Sequence, residues 1–194
     1  MLRFHFAAIA WSVTIVGLFT TVAHSTADDR SVEPVESAIT VPTPDDVVAK
    51  MLDLVKVKKD DVLYDLGCGD GRIVVAAAVK YRCRAVGFDI NPLKIDQSRE
   101  RVKQAGVQSL VRIEQKDIFK VDLAPATVLT LYLLPEMNDQ LVPQIQKMKA
   151  GTRIVCHDFP IEAFQPEQRI TIKSVETDAP HEIFLYRLPL KPRK

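Results

Sequence analysis

Asp65-Leu66-Gly67-Cys68-Gly69-Asp70-Gly71 stands between a short apolar run, Val62 to Leu66, and an alanine- and valine-rich stretch, Arg72 to Tyr81. The run reads as a strand and the stretch as a helix, so the glycines mark a strand–turn–helix junction. Glycine there lets the backbone turn sharply and approach a ligand, beside the exposed N–H groups of the helix N-terminus. Taken alone, such a turn is a weak signal. The next strand, Arg84 to Ile90, carries Asp89 near its end, where a carboxylate accepts both hydroxyls of a ribose in nucleotide-binding units. Turn and acid in register point to a nucleotide-like ligand. A dinucleotide fits poorly, because its fingerprint needs a small residue where this chain has Arg72. No Gly-Lys-Ser or Gly-Lys-Thr phosphate loop occurs either.

The pattern continues in both directions. Upstream, Val47, Val48, Met51, Leu52 and Val55 recur at helical spacing, with Thr43 as the expected cap and Pro44 in the first turn. Downstream, Asn91-Pro92 opens a helix that Gly106 ends. Leu110 to Gln115 and Thr127 to Leu134 read as strands, Glu136 to Lys149 as a helix, and Arg153 to Phe159 as a fifth strand. Two further strand-like runs, Arg169 to Val175 and Glu182 to Leu188, flank a turn-forming Thr177-Asp178-Ala179-Pro180 stretch and predict an antiparallel hairpin. The expected fold is α/β: a doubly wound, mostly parallel seven-stranded Rossmann-like sheet ending in that hairpin.

Composition narrows the partners. Of 26 basic residues one, Arg3, lies in the first 25 positions; without that segment the chain holds 25 basic against 25 acidic residues. Nothing here suggests affinity gained by neutralising phosphates, so no nucleic-acid partner is expected. The three cysteines, Cys68, Cys83 and Cys156, have neither disulfide nor zinc-type spacing, and no metal ligand is expected. Arg3 precedes an apolar run from Phe6 to Val22, followed by small residues around Ala23 to Ala27. Residues 1–27 therefore read as a signal peptide or, since about 18 apolar residues span a bilayer, an uncleaved membrane anchor. Residues 28–42 read as a linker and 43–190 as the folded domain. The expected localisation is exported or membrane-associated, on an undetermined side of the membrane.

Asp65 to Gly71 resembles the first motif of class I S-adenosylmethionine-dependent methyltransferases. Asp89, in Gly87-Phe88-Asp89-Ile90-Asn91-Pro92, matches their ribose-binding acid. Asp117, in Gln115-Lys116-Asp117-Ile118, matches the acid that receives the adenine amino group. Leu131-Tyr132-Leu133-Leu134-Pro135 occupies the place of the fourth motif, beside the reactive methyl. The resemblance implies S-adenosyl-L-methionine as cofactor, held by Asp65, Gly67, Gly69, Gly71, Asp89, Asp117 and Tyr132. A narrower resemblance lies in Val41-Pro42-Thr43-Pro44, Tyr132 to Asn138 and His157-Asp158-Phe159-Pro160. These look like the small membrane-linked protein-lysine methyltransferases that modify mitochondrial ATP synthase and the adenine nucleotide translocase. That resemblance implies Thr43 over the cofactor and, as substrate, a lysine of a membrane-associated protein.

Methyl transfer asks little of a protein, because catalysis is chiefly holding acceptor, methyl and sulfur in line. A lysine must also lose its proton, since an ammonium has no lone pair. Tyr132, Glu136 and Asp158 lie at the carboxyl edge of the sheet and are the candidate catalytic residues. Packing, helix capping and a solvated strand end are the respective plain alternatives. The Asn/Asp-Pro-Pro-aromatic signature of enzymes that methylate base or glutamine amino groups is missing. The domain is small, with no inserted lid or second domain to enclose a metabolite, which favours a protein acceptor, and the protein is expected to act as a monomer. The rival readings are a small-molecule methyltransferase and a binding module without catalysis.

Overall fold

The computed structural model describes residues 41–193. The leader or anchor, residues 1–27, and nearly all of the linker lie outside the described residues. Among the described residues no helix is long and apolar enough to cross a membrane.

Five parallel strands form the body of the sheet: β1 (Val62–Leu66), β2 (Arg84–Asp89), β3 (Val111–Gln115), β4 (Val128–Leu131) and β5 (Arg153–His157). Two antiparallel strands, β7 (Gln168–Lys173) and β8 (Pro180–Arg187), complete the order β3-β2-β1-β4-β5-β8-β7. Helices α1 (Asp45–Leu54), α2 (Arg72–Tyr81), α3 (Pro92–Gln104) and α4 (Pro135–Ile145) complete the main elements. Strand side chains alternate between two cores, as the two-residue period requires. Leu63, Val128, Val155 and Leu185 meet Val48, Met51, Val74 and Ala77 of α1 and α2. Leu129, Leu131, Cys156 and Tyr186 meet Leu141 and Ile145 of α4. Truncating one of these to alanine should cost roughly 2–5 kcal/mol. β1 lies between β2 and β4, so the crevice at their carboxyl ends is the place where the strand order reverses and ligands bind in such sheets.

The structure corrects several expectations. Thr43 does not cap α1. Pro44 takes that position without a side-chain bond, and the Thr43 hydroxyl turns to His157 instead. Asp46 of the first turn accepts hydrogen bonds from Ser174 Oγ and Val175 N and ties α1 to the β7–β8 loop. β4 stops at Leu131, the last residue paired with both β1 and β5, so Tyr132 to Leu134 leave the sheet edge. α4 ends at Ile145 rather than Lys149, because the chain tightens into bonds from Lys147 N to Gln144 O and from Met148 N to Ile145 O. β5 ends at His157, where Asp158 takes a left-handed φ of 55° that no strand accommodates. The fold runs past Leu190, since β9 (Lys191–Pro192) pairs with β6 (Phe164–Gln165) in a small second sheet.

Candidate active site

Asp65 is the next-to-last residue of β1 and is 2% exposed. Its Oδ1 accepts a hydrogen bond from Thr130 Oγ1 at 2.6 Å, whereas Oδ2 is buried and has no partner. Burial pushes its carboxyl up to about 7; the Thr130 bond opposes this, and the negative charges of Asp89 and Asp70 add to it. A buried carboxylate oxygen without a donor is rare, and it is what a cationic ligand group would satisfy.

The loop that follows is built by backbone geometry. Gly67 and Cys68 both donate to the Phe88 carbonyl at 2.8 Å, which fastens the loop to β2. Gly67, Gly69 and Gly71 hold φ of 78°, 53° and 78°. A Cβ on Gly67 would lie 2.9 Å from Leu133 Cδ2, and one on Gly71 would lie 2.8 Å from Ser98 Cβ. The glycines thus serve both turning and close packing.

Asp89 does more than end a strand. Its Oδ2 accepts from Gly69 N and its Oδ1 from Asn91 N, each at 2.9 Å, so one carboxylate clamps the loop and the start of α3. Each oxygen keeps a lone pair for a ligand. Asp70 faces Arg72 and Arg101, with Oδ2 at 2.8 and 2.7 Å from their Nη2 atoms; desolvation opposes, but these two cations hold its carboxyl below the usual range. Arg72 in turn donates to the Thr43 carbonyl at 2.7 Å. The bulky residue that excluded a dinucleotide fingerprint therefore fastens the segment ahead of α1 to the loop, a role its sequence position did not disclose.

A cavity at this edge is lined by Thr43, Asp65, Gly67, Gly69 and Tyr132 among others, including Val41 and Pro42 of the expected linker. Gly71 and Asp89 flank it through the loop. Asp117 does not line it: its Oδ1 accepts from Phe119 N at 3.0 Å, its Oδ2 lies 3.3 Å from Lys120 Nζ, and it caps a one-turn helix at Ile118–Lys120. Glu136 is exposed in the first turn of α4 and does not line the cavity either. Of the three catalytic candidates, Tyr132 is the one in the cavity wall.

Tyr132 rests its ring 4.0 Å from that of His157, between centroids. Burial first, then the charge of Asp158 and a hydrogen bond to it, raise the pKa of the phenol, which stays neutral at physiological pH. Asp158 is thus behind Tyr132 rather than in the cavity. Burial holds His157 down at about 4, outweighing the pull of Asp158 upward, and His181 lowers it further. His157 Nδ1 lies 3.0 Å from Thr43 Oγ1. His181 and Thr130 are the members of this neighbourhood that sequence reasoning missed, each in an ordinary strand pattern, and Arg72 was noticed only as an obstacle to a dinucleotide.

A glycine loop after β1, acids at the ends of β1 and β2, and this strand order define the S-adenosylmethionine-dependent methyltransferases of Rossmann-like fold. The chain belongs to the ANTKMT methyltransferase domain family, which it matches over residues 65–168. A protein-lysine N-methyltransferase of Saccharolobus islandicus (strain REY15A) is 40% identical over 148 residues, covering 75% of this chain and 91% of the relative. The adenine nucleotide translocase lysine N-methyltransferase of Mus musculus is 33% identical over 105 residues, 54% of this chain and 46% of that protein. The chain thus spans about half the length of such mammalian relatives. A crystal structure of an RNA methyltransferase from Salinibacter ruber in complex with S-adenosyl-L-homocysteine superposes with a TM-score of 0.71 at 41% identity, covering 77% of this chain and 94% of that one.

Proposed function

We propose that the protein transfers the methyl group of S-adenosylmethionine to the ε-amine of a protein lysine. The observation that carries this reading is the similarity to an archaeal protein-lysine methyltransferase along 91% of that enzyme. The cofactor supplies a sulfonium methyl that is already electrophilic. Asp65 Oδ2, buried and unpartnered, accepts from the cofactor's ammonium group. Asp89 would accept from the ribose hydroxyls with the lone pairs its backbone bonds leave free; Asp117, held by Phe119 N and Lys120, stands outside the cavity and shapes the edge beyond β3. The loop glycines Gly67, Gly69 and Gly71 bring backbone close to the methionine part, under Thr43. Tyr132 lines the approach of the amine, and its neutral phenol oxygen holds the amine by a hydrogen bond once the proton has gone to water. Asp158 positions Tyr132, and Glu136 serves the dipole of α4.

The acceptor is a membrane-associated protein reached through the N-terminal apolar segment, and the enzyme works as a monomer. A near-neutral charge balance favours protein over RNA as acceptor. Radiolabelled S-adenosylmethionine, the full chain, and separate membrane, soluble-protein and RNA fractions of source cells provide the test. Methyllysine in hydrolysed membrane protein is the expected product, formed faster as pH rises toward the ~10.4 of a free lysine. Label confined to RNA or to acid-soluble small molecules would overturn the acceptor assignment.

A further inference from the structure

We propose that His157, Asp158 and His181 form a binding site for one divalent transition-metal ion of the zinc type. His157 Nε2 lies 2.9 Å from His181 Nδ1 and 3.2 Å from Asp158 Oδ2, while His181 Nδ1 lies 3.1 Å from that same oxygen. Three lone-pair-bearing atoms therefore close a triangle. One proton on an edge of this triangle leaves another edge with facing lone pairs. Two protons set two N–H groups against each other. A cation bound by all three atoms satisfies every edge at once.

The dimensions suit such an ion. Ligands about 2.0–2.2 Å from a tetrahedral zinc stand roughly 3.3–3.5 Å apart, so the side chains need move by only a few tenths of an ångström. Two imidazoles and one carboxylate are a donor set for zinc and its neighbours, not for calcium or magnesium, which prefer oxygen alone.

The outer partners argue for the same use. The second polar atom of each ligand is turned away and occupied. His157 Nδ1 faces Thr43 Oγ1 at 3.0 Å, His181 Nε2 faces Thr177 Oγ1 at 3.4 Å, and Asp158 Oδ1 accepts from Glu182 N at 2.8 Å. Outer contacts of this kind fix the tautomer of a ligating histidine and aim its free lone pair at the metal. Asp158 N also donates to the Glu182 carbonyl at 2.8 Å, which holds the strained left-handed residue against β8. His157 is fully buried, whereas the side chains of His181 and Asp158 are 12% and 26% exposed, which gives the ion a way in. Because Thr43 lines the cofactor cavity, an ion on His157 steadies a wall of that cavity from behind. The site does not depend on the acceptor proposed above, and metal binding would persist with any acceptor.

Full-length protein without an affinity tag, stripped with EDTA, is titrated with Co(II) and with Zn(II). Visible d–d absorption reports Co(II), and calorimetry reports Zn(II). One ion per chain is expected, with Zn(II) displacing Co(II). Affinity should fall at least about 100-fold in His181→Ala and at least about 10-fold in Asp158→Asn, because each alters a ligand and loss of a ligand's outer partner alone already costs about 10–100-fold. Asparagine tolerates the left-handed backbone, so Asp158→Asn keeps its fold, checked by circular dichroism. Failure of the stripped wild-type protein to bind one ion per chain would overturn the site. So would unchanged affinity in both variants, which would put the ion on other side chains.

Discussion

Two neighbouring regions at the carboxyl edge of the sheet are built in opposite ways. The loop from Asp65 to Gly71 is contiguous, and its chemistry is backbone chemistry: three positive φ values and paired N–H groups on one carbonyl. The cluster of Thr43, Tyr132, His157, Asp158 and His181 is assembled from separate segments, and its chemistry lies in side chains. His181 meets His157 and Asp158 because β8 runs antiparallel beside β5, with His157 opposite Ile183, while Thr43 and Tyr132 reach the same histidine from ahead of α1 and from the end of β4. Contiguous sites depend on conformation, assembled sites on register. Variants of the first should therefore lose ligand with the fold intact, and variants of the second should lose a little of both.

The largest effect is expected in the loop. Gly69→Val places a β-branched side chain at φ 53°, in the wall of the cavity. Cofactor affinity should fall by about 5- to 150-fold in calorimetric titration, since relieving roughly 1–3 kcal/mol of left-handed strain displaces the loop that lines the cavity. A normal titration curve would show that the loop faces solvent. The next effect belongs to Asp65. Its folded pKa of about 7 lies above the ordinary 3.8, so the stability it contributes is full below about 3.8 and is lost as pH rises through about 7. In the cofactor-free protein this loss amounts to at most about 4 kcal/mol. Asp65→Asn should flatten that slope and melt higher than wild type above pH ~7. Parallel stability curves from pH ~4 to ~8 for the two proteins would mean the carboxylate is not desolvated.

Asp89 tests whether the contiguous region is purely a ligand device. Asp89→Ala should weaken cofactor binding by roughly 1.5–3 kcal/mol, the worth of bonds to a charged acceptor. It should also cost about 1–2 kcal/mol of stability, because Gly69 N and Asn91 N lose their acceptor. Loss of affinity without any loss of stability would show that the loop holds its shape unaided.

This contrast explains what could be read from the chain. The glycine turn, Asp89 and the Asn91-Pro92 helix start were legible because each requirement falls within a few residues and selects special residue types. The hairpin was legible from its turn. The Thr43 cap was misread because the pattern of a capping residue says nothing of a histidine that arrives from β5 and binds the same hydroxyl. β6 and β9, of two residues each, are too short to show any period. Asp117 and Glu136 were found by motif position, which fixes a place on the sheet edge but not the direction of a side chain. His181 carried no signal, since a lone histidine in a strand is ordinary. A search for metal ligands by cysteine spacing had no means of finding a site split between β5 and β8.

The smallest expected effect bears on the assembled region. Thr43→Val keeps the shape of the side chain and the extended backbone that Pro44 requires, and removes only the hydroxyl. His157 Nδ1, fully buried, then lacks its partner. The cost should be about 1 kcal/mol, seen as a melting temperature lower by roughly 2–4 °C. The carbonyl of Thr43 still receives Arg72 at 2.7 Å, so the segment stays fastened to the loop and cofactor affinity should change less than about threefold. An unchanged melting temperature would mean that Thr43 and His157 do not support one another, and the assembled region would lose its link to the cavity. A cofactor affinity reduced as far as in Gly69→Val would mean the reverse, that the two regions act as a single site and the distinction between them fails.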